Sequence, residues 1–426
     1  MKKFDISISL DIGTSKICTI IGYKNLNDKI EIIGIHKSKS YSNVKRNSMS
    51  ESKIIDSIEN AIKIASTKIN FDNRSISVGI ASENINKNQY KGILIRNNDN
   101  NIKKEDIDIL TQNMKKSDII SLNDKIIHII PQEFLIDDIS NIISPIGLKG
   151  KKISTNFHII TSNNSFINDV YTTINKSKFV LENIIYNPIA TAEAVLTDEE
   201  KESGVALIDI GAGKTDLIII KNNIIKYFAM IPLGGNEIDY DIQEGCMVMH
   251  KHAENLKIKF GSALLDNNDN NHVSSIPGLK GRNSKKIYSN NINYIIQIRM
   301  EEIIEYIYYE ILNSGYDKKL FGGIVITGGM SKINNIKKLV ELLTGLEVRI
   351  GYSNENVICD DIDISDPEYA TCVGLVIKSL NDNNSVKQNY VKNNFIQNFK
   401  HKLKQIKNII YNKDKMIYNE FEKTSN

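Results

Sequence analysis

The chain has 426 residues, with 54 basic against 51 acidic for a net charge of +3, no Trp and only 6 Pro. A charge so nearly balanced excludes the broad basic field of a nucleic-acid binder, and the length allows two lobes of roughly 150 to 200 residues each. No uninterrupted apolar run reaches the ~18 residues of a membrane-spanning helix.

Heavy use of Ile, Asn and Lys reads as a coding bias, so Asn runs carry little weight as a sign of disorder. The opening Met1-Lys2-Lys3 resembles the start of a signal peptide, but Asp5 and Asp11 interrupt the apolar stretch behind it. The protein is therefore expected to stay inside the cell. Cys18, Cys246, Cys359 and Cys372 form no C-x-x-C pair and sit mostly among apolar neighbours, as buried reduced thiols do.

Residues 4–36 read as strand, turn, strand and a third strand from Ile30 to Ile35. The turn is Asp11-Ile12-Gly13-Thr14-Ser15-Lys16, set between apolar runs. Residues 51–69 carry Ile54, Ile55, Ile58, Ile62, Ala65 and Ile69 at helical spacing, and Ser75 to Ala81 is the next strand. From about 84 to 162 the pattern changes to short strands with one helix, Lys104 to Met114. In that inserted segment, Ile129 to Phe134 and Pro145 to Gly150 read as strand edges and a hairpin, and Phe157 to Thr161 as the closing strand. An amphipathic helix follows at 165–178, and then a helix that Pro188 opens, with Ala190, Ala192 and Ala194 small enough for a close crossing. A hinge between lobes and an ordinary packed helix both fit those small faces.

The second lobe opens at 205–230 with a hairpin around Asp209-Ile210-Gly211-Ala212-Gly213-Lys214-Thr215. Here, as at the first turn, glycines allow the backbone to present N–H groups to an anion. The carboxylate at the mouth, Asp11 or Asp209, is placed to hold Mg²⁺ through water. One such turn is weak, but two far apart suggest matched halves facing one nucleotide. Ile231 to Ile238 leads into a helix around Tyr240, and residues 251–261 carry Glu254 and Lys257 one turn apart. Residues 266–290 read as a polar loop before a strong helix at 292–312. Gly322 to Ser331 is a buried strand entering a glycine turn, Thr327-Gly328-Gly329-Met330, on which an adenine or ribose can lie flat. Pro367 to Leu380 is the last helix before a polar linker, 381–393.

The tail carries Phe395, Ile396, Phe399, Leu403, Ile406, Ile409 and Ile410 at three- and four-residue spacing, with Lys400, Lys402, Lys404 and Lys407 between them. That is a basic amphipathic helix suited to a membrane interface, or alternatively one docked on the body or left solvated. Four lysines at ~1 kcal/mol each give weak attachment for a single chain, so durable binding would need many tails in one filament. Residues 411–426 extend past this stripe with Glu420 and Glu422, which leaves its boundary open.

Two phosphate turns, a Pro-Ala helix over 187–196, a Thr-Gly-Gly turn at 327–329 and a small-residue helix at 369–376 together resemble the actin, Hsp70 and sugar-kinase superfamily. Within it the chain is similar to the FtsA family of bacterial division proteins. The segments that carry this are Ile130 to Phe134, Pro145 to Leu148, Leu196 to Glu200 and Pro232 to Asn236. The likeness runs from about residue 8 to 380.

The resemblance implies an α/β, actin-like fold of two lobes (a duplicated ribonuclease H-like core) with an inserted subdomain and a C-terminal amphipathic helix. The first lobe core would be 1–83, 163–203 and 376–390, with 84–162 as the relocated subdomain. The second would be 204–243 and 321–375, with 244–320 as its subdomain and 391–426 as linker and membrane tail. ATP and Mg²⁺ would lie between the lobes, on Gly13, Thr14, Ser15, Lys16, Gly211, Ala212, Gly213, Lys214, Thr215, Gly328, Gly329 and Met330. Glu254 and Lys257 would approach ribose and adenine.

Asp11, Asp209 and Asn187 would be the catalytic set. Asn187 stands where chaperone relatives carry Glu, and an amide cannot act as a general base. At most slow ATP hydrolysis follows, with nucleotide mainly a conformational switch. Lys214 replaces a more usual hydroxyl or amide residue; a cation near the phosphates and a solvent-facing side chain both fit it. The family polymerises on the cytoplasmic face of the inner membrane at the septum. It tethers the C-terminal peptide of FtsZ, here near Arg299, and recruits later division proteins.

Other readings are a rod-shape or pilus-type filament adaptor, a sugar kinase or exopolyphosphatase, and an Hsp70-type chaperone. A kinase needs a base for a substrate hydroxyl, and no clear Asp or Glu candidate stands between the lobes. A chaperone would continue into a β-rich domain. His250-Lys251-His252 reads as helix surface more readily than as a metal pair, and Tyr306, Tyr308 and Tyr309 read as helix packing. Residues 97–101 and 266–271 are expected to be solvated loops.

Overall fold

The computed structural model describes residues 5–382, apart from 41–50, 71–73, 81–84, 117–120, 122, 266–271, 278–282, 354–355 and 361. Residues 1–378 form one compact unit and 379–426 a second, of which only 379–382 are described, as helix. The amphipathic tail and its residues Phe395, Ile396, Phe399, Lys400, Leu403, Lys404, Ile406, Lys407 and Ile410 lie outside the described residues. No helix among the described residues is long and apolar enough to cross a membrane.

The chain opens with a meander, β1 (Ile6–Ile12), β2 (Lys16–Lys24) and β3 (Ile30–Lys39), followed by α1 (Glu51–Ser66) and β4 (Ser75–Ile80), which returns parallel to β1. Ile54, Ile58, Ala61 and Ala65 of α1 lie on its buried face. The two alanines allow close approach to β3, since a methyl added at Gly34 would stand 2.6 Å from the Ala61 carbonyl.

An inserted layer follows: β5 (Ile85–Ile95), α2 (Lys104–Lys116), β6 (Asp124–Ile136), β7 (Ile139–Ile142) and β8 (Lys152–Asn163), in the order β5-β8-β6-β7. Three of its strands, β5, β6 and β8, are long, where short ones were expected, and β7 alone is short. Pro131 disguised β6: it sits where the β6–β8 register slips, one of the few places a residue without an N–H fits a central strand. The hairpin lies at Asp137, with φ +50°, rather than at Pro145 to Gly150. That later segment is a turn whose Gly147 N–H donates to the Ile102 carbonyl at 2.8 Å.

Next come α3 (Asn164–Lys176), β9 (Val180–Tyr186) and α4 (Asn187–Val195), with Pro188 in the first turn of α4. The short α5 (Asp198–Ser203) has a capping box between Thr197 and Glu200. A second meander, β10 (Val205–Ile210), β11 (Thr215–Lys221) and β12 (Ile224–Ile231), precedes α6 (Gly235–Cys246) and α7 (His250–Phe260). Where a loop was expected over 266–290, the described residues include a two-stranded pair, β13 (Val273–Ile276) and β14 (Lys285–Tyr288). The long α8 (Ser289–Asn313) leads to β15 (Ile324–Thr327), α9 (Ile336–Thr344), β16 (Val348–Ile350) and β17 (Val357–Ile358), and residues 370–378 are helical.

The two main sheets repeat one plan. Their orders are β17-β3-β2-β1-β4-β9 and β12-β11-β10-β15-β16. In each, the opening strand pairs antiparallel with the second and parallel with the fourth. Asp11 therefore pairs with Cys18 and Gly79, and Asp209 with Asp216 and Thr327, at equivalent points. Buried on both faces, β10 reads as a nearly continuous apolar run, whereas β1 alternates apolar residues with the buried Ser7 and Ser9. Three of the four cysteines are buried and all are unpaired.

Candidate functional site: a cleft between two matched turns

Each meander turns tightly at its glycine. The Gly13 N–H donates to the Lys16 carbonyl at 2.9 Å, and the Gly211 N–H donates to the Lys214 carbonyl at the same 2.9 Å. The backbone amides of Ser15 and Ala212, both on the cavity, have no acceptor among the described residues, so they can serve an anion. The turns meet: a methyl on Gly213 would stand 2.7 Å from Thr14 Cγ2. A third backbone segment locks the second turn, because the Gly235 and Asn236 amides donate to the Gly211 and Ala212 carbonyls at 3.0 and 2.7 Å.

Behind the turns stand the carboxylates. Asn187, the first residue of α4, donates from Nδ2 to Asp11 Oδ1 at 3.1 Å, while its own Oδ1 is buried without a partner. Burial pushes Asp11 above the usual carboxylate range against the pull of Lys16. Asp209 accepts from the hydroxyls of Thr191 and Thr371 at 3.3 and 3.2 Å. Burial, reinforced by the neighbouring Asp216 carboxylate, pushes Asp209 up to about 6. Gly328, at φ +86°, lies against it, and a methyl there would fall 2.3 Å from Asp209 Oδ1. Lys214 does not stand alone: its Nζ is 2.7 Å from Asp216 Oδ2, and its side chain keeps 24% exposure on the cavity. Among the described residues no group of three or more His, Cys, Asp or Glu side chains could hold a metal directly.

The far wall is built by α6 and α7. Lys257, buried, places its ammonium 2.7 Å from Asp239 Oδ2 and 2.8 Å from the Gly235 carbonyl. Glu254, Gly328, Gly329 and Met330 complete this side of a cavity of about 440 Å³. Of the residues singled out from the sequence, Gly13, Thr14, Ser15, Lys16, Asn187, Ala212, Lys214 and both aspartates line it too, together with Gly211. Thr215 does not: it is fully buried, and its hydroxyl donates to the Leu233 carbonyl at 2.9 Å. Gly213 serves as the contact with Thr14 rather than as lining.

Sequence reasoning missed Asp216, Asp239 and Thr371, which line the cleft. Asp216 carried a usable signal, an opposite charge two positions past Lys214 where the turn enters β11. Arg299 is not among the cleft residues. On α8 its guanidinium forks onto Asp241 of α6 at 2.6 and 3.0 Å and reaches Glu302 at 2.5 Å.

Two family models match the chain: the cell division protein FtsA over residues 206–374, and the SHS2 domain inserted in FtsA over residues 82–161, the inserted layer. The chain is 32% identical to the cell division protein FtsA of Borreliella burgdorferi, covering 88% of this chain and 90% of that one. It is 31% identical to FtsA of Neisseria meningitidis over 86% and 88% of the two chains, and 28% identical to FtsA of Bacillus subtilis over 88% and 84%.

Among solved structures, the fold is similar to the PilM-PilN type IV pilus biogenesis complex, with a TM-score of 0.61 at 12% identity, covering 88% of this chain and 98% of that one. It is also similar to MreB5 of Spiroplasma citri bound to ADP, with a TM-score of 0.51 at 14% identity over 90% and 98%. These place the fold among the actin-like proteins. Identity to the division proteins extends over most of both sequences, and the chain belongs to the cell division protein FtsA family.

Proposed function

We propose that the cleft takes ATP with Mg²⁺ and that the nucleotide-loaded chain assembles on the inner face of the plasma membrane, where it anchors FtsZ and through it the division ring. The observation that carries the nucleotide reading is the pair of matched turns, each with one aspartate, meeting at Thr14 and Gly213 over one cavity. The residues fit the group. Free amides at both turns suit phosphate oxygens, and two carboxylates without further metal-type partners suit a hydrated Mg²⁺ completed by water and phosphate.

When bound, the metal supplies charge neutralisation between the phosphates and the two aspartates. Asn187 can hold a water at its unpartnered Oδ1, but it cannot take a proton from it. Hydrolysis would then be slow, and the nucleotide would act chiefly by holding the two turns together. Met330 and Gly328 support an adenosine against the far wall, with Glu254 and Lys257 beside the ribose and base.

The membrane part of the reading rests on the sequence of the tail. In a helix, Phe395, Ile396, Phe399, Leu403, Ile406 and Ile410 would make the apolar face, and Lys400, Lys404 and Lys407 would meet anionic lipid. Arg299 is the proposed contact for the FtsZ C-terminal peptide, and later division proteins would join the assembled filament.

Two measurements test this. Calorimetry with ATP, with and without Mg²⁺, reads the cleft; no magnesium-dependent uptake ends the nucleotide reading. Co-sedimentation with anionic liposomes, with ATP present, compares the full chain with one lacking residues 395–426. Unchanged lipid binding after truncation ends the adaptor reading.

A further inference from the structure

Four lysines line the cleft, and each has a partner. Lys16 donates to the Glu368 carbonyl and lies 5.2 Å from the centre of the Tyr369 ring. Lys257 is shared between Asp239 and the Gly235 carbonyl. Lys332 is 2.6 Å from Asp366. Lys214 differs from these. It belongs to the second phosphate turn itself, directly after the glycine that touches Thr14, and one carboxylate oxygen, Asp216 Oδ2 at 2.7 Å, is its partner among the described residues. An ammonium has three donors, so two remain. The carboxylate that orients it is also unsaturated, since Asp216 Oδ1 is buried without a partner.

The pair is built locally. Lys214 is the last residue before β11 and Asp216 the second within it, and their charged ends meet on one side at 2.7 Å. Asp216 is nearly buried at 7% side-chain exposure, whereas Lys214, at 24%, still opens onto the cavity. The charges nearby are Asp11, Asp209 and Asp216 against Lys16 and Lys214. Three carboxylates repel a polyphosphate, and a cation positioned at the turn offsets that repulsion where the added charge of a third phosphate would enter.

We propose that Lys214 is a specificity-determining residue that reads the terminal phosphate of a nucleoside triphosphate: it keeps one N–H on Asp216 and gives the other two to that phosphate, so the chain distinguishes a triphosphate from a diphosphate. Asp216 is then a positioning residue that aims the ammonium. This inference rests on the nucleotide reading of the cleft and adds the part of the ligand that is read.

The experiment measures affinities for Mg·ATP and Mg·ADP on the full-length chain, unaltered and as Lys214→Thr, Asp216→Asn and the double variant. A charge-assisted hydrogen bond to a phosphate accounts for about tenfold in affinity. Lys214→Thr should lower the ratio of ATP to ADP affinity by about that factor. Asp216→Asn should lower the ratio by less, and the double variant should match Lys214→Thr, because positioning matters only while there is a lysine to position. Lys214→Gln, with a side chain of similar reach and no charge, repeats the test should the threonine variant fold poorly. An unchanged ratio in the lysine variants, or an equal fall for both nucleotides, overturns the proposal while the nucleotide reading stands. If the unaltered chain takes up neither nucleotide, the nucleotide reading falls and Lys214 loses its role with it.

Discussion

Thr14 and Gly213 touch across the cleft: a methyl on Gly213 would lie 2.7 Å from Thr14 Cγ2 and 2.9 Å from Thr14 Oγ1. The two turns occupy equivalent points in the two copies of the repeated plan, so this contact measures how closely the halves approach. Gly213→Ala should force them apart by several tenths of an ångström. The variant should keep its thermal stability within a few degrees and lose about tenfold or more in ATP affinity by calorimetry. An alanine variant that binds ATP as the parent does would mean that the turns need not meet to hold phosphate.

A second glycine joins the segments behind the site. A methyl on Gly374 would stand 1.8 Å from the Ala190 carbonyl oxygen, a backbone atom that cannot swing aside. The helix at 370–378 carries Thr371 to Asp209, and α4 carries Asn187 to Asp11 and Thr191 to Asp209. Gly374→Ala must therefore separate two elements that both hold carboxylates. Overpacking of this kind costs about 1–3 kcal/mol, and chemical denaturation should show a loss in that range. A neutral result would mean that the helices slide freely past each other.

Both turns are legible in the sequence because each breaks a β-branched run with glycine after a single aspartate, a pattern that local chemistry alone requires. The Pro188 helix start follows in the same way from a missing N–H, and the alanines behind it mark a close crossing without naming Gly374 as the partner. Asp239 is not legible. It is one of 51 acidic residues, and its role appears only when α6 packs on α7 and brings it to Lys257. The long strand β6 was hidden for a different reason, since Pro131 is acceptable there only because of a register slip that depends on β8. What escaped the sequence was pairing between distant segments.

Protonation of the cleft makes stability respond to pH in an unusual direction. Asp209 sits at about 6, above its ordinary 3.8, through burial and the Asp216 carboxylate. With the folded value raised, the folded chain binds the proton more tightly than the unfolded chain. The group favours folding below about 4, and that contribution is lost as pH rises through about 6, where the ionised carboxylate costs the fold up to about 3 kcal/mol. Asp209→Asn keeps an acceptor for the Thr191 and Thr371 hydroxyls and removes the charge. In the absence of nucleotide, the variant should exceed the parent in unfolding free energy at pH 7.5 by up to that amount, and the two should converge near pH 4. A gap that stays constant with pH would show that ionisation of Asp209 is not its source.

Arg299 can be separated into a packing role and a recognition role. Its fork is filled by Asp241, with Glu302 beside it, so any peptide carboxylate must compete for a guanidinium that already has partners. Such partly exposed pairs contribute at most about 1 kcal/mol to stability. Arg299→Ala and Asp241→Asn should therefore each unfold close to the parent. Their effects on peptide binding should diverge: Arg299→Ala removes the fork, whereas Asp241→Asn releases it for a peptide carboxylate. Titration with a labelled FtsZ C-terminal peptide should show a loss of about tenfold or more for the first and a gain of a few-fold for the second. Equal losses in both would mean that Arg299 acts by tying α8 to α6, and the peptide contact would have to lie elsewhere.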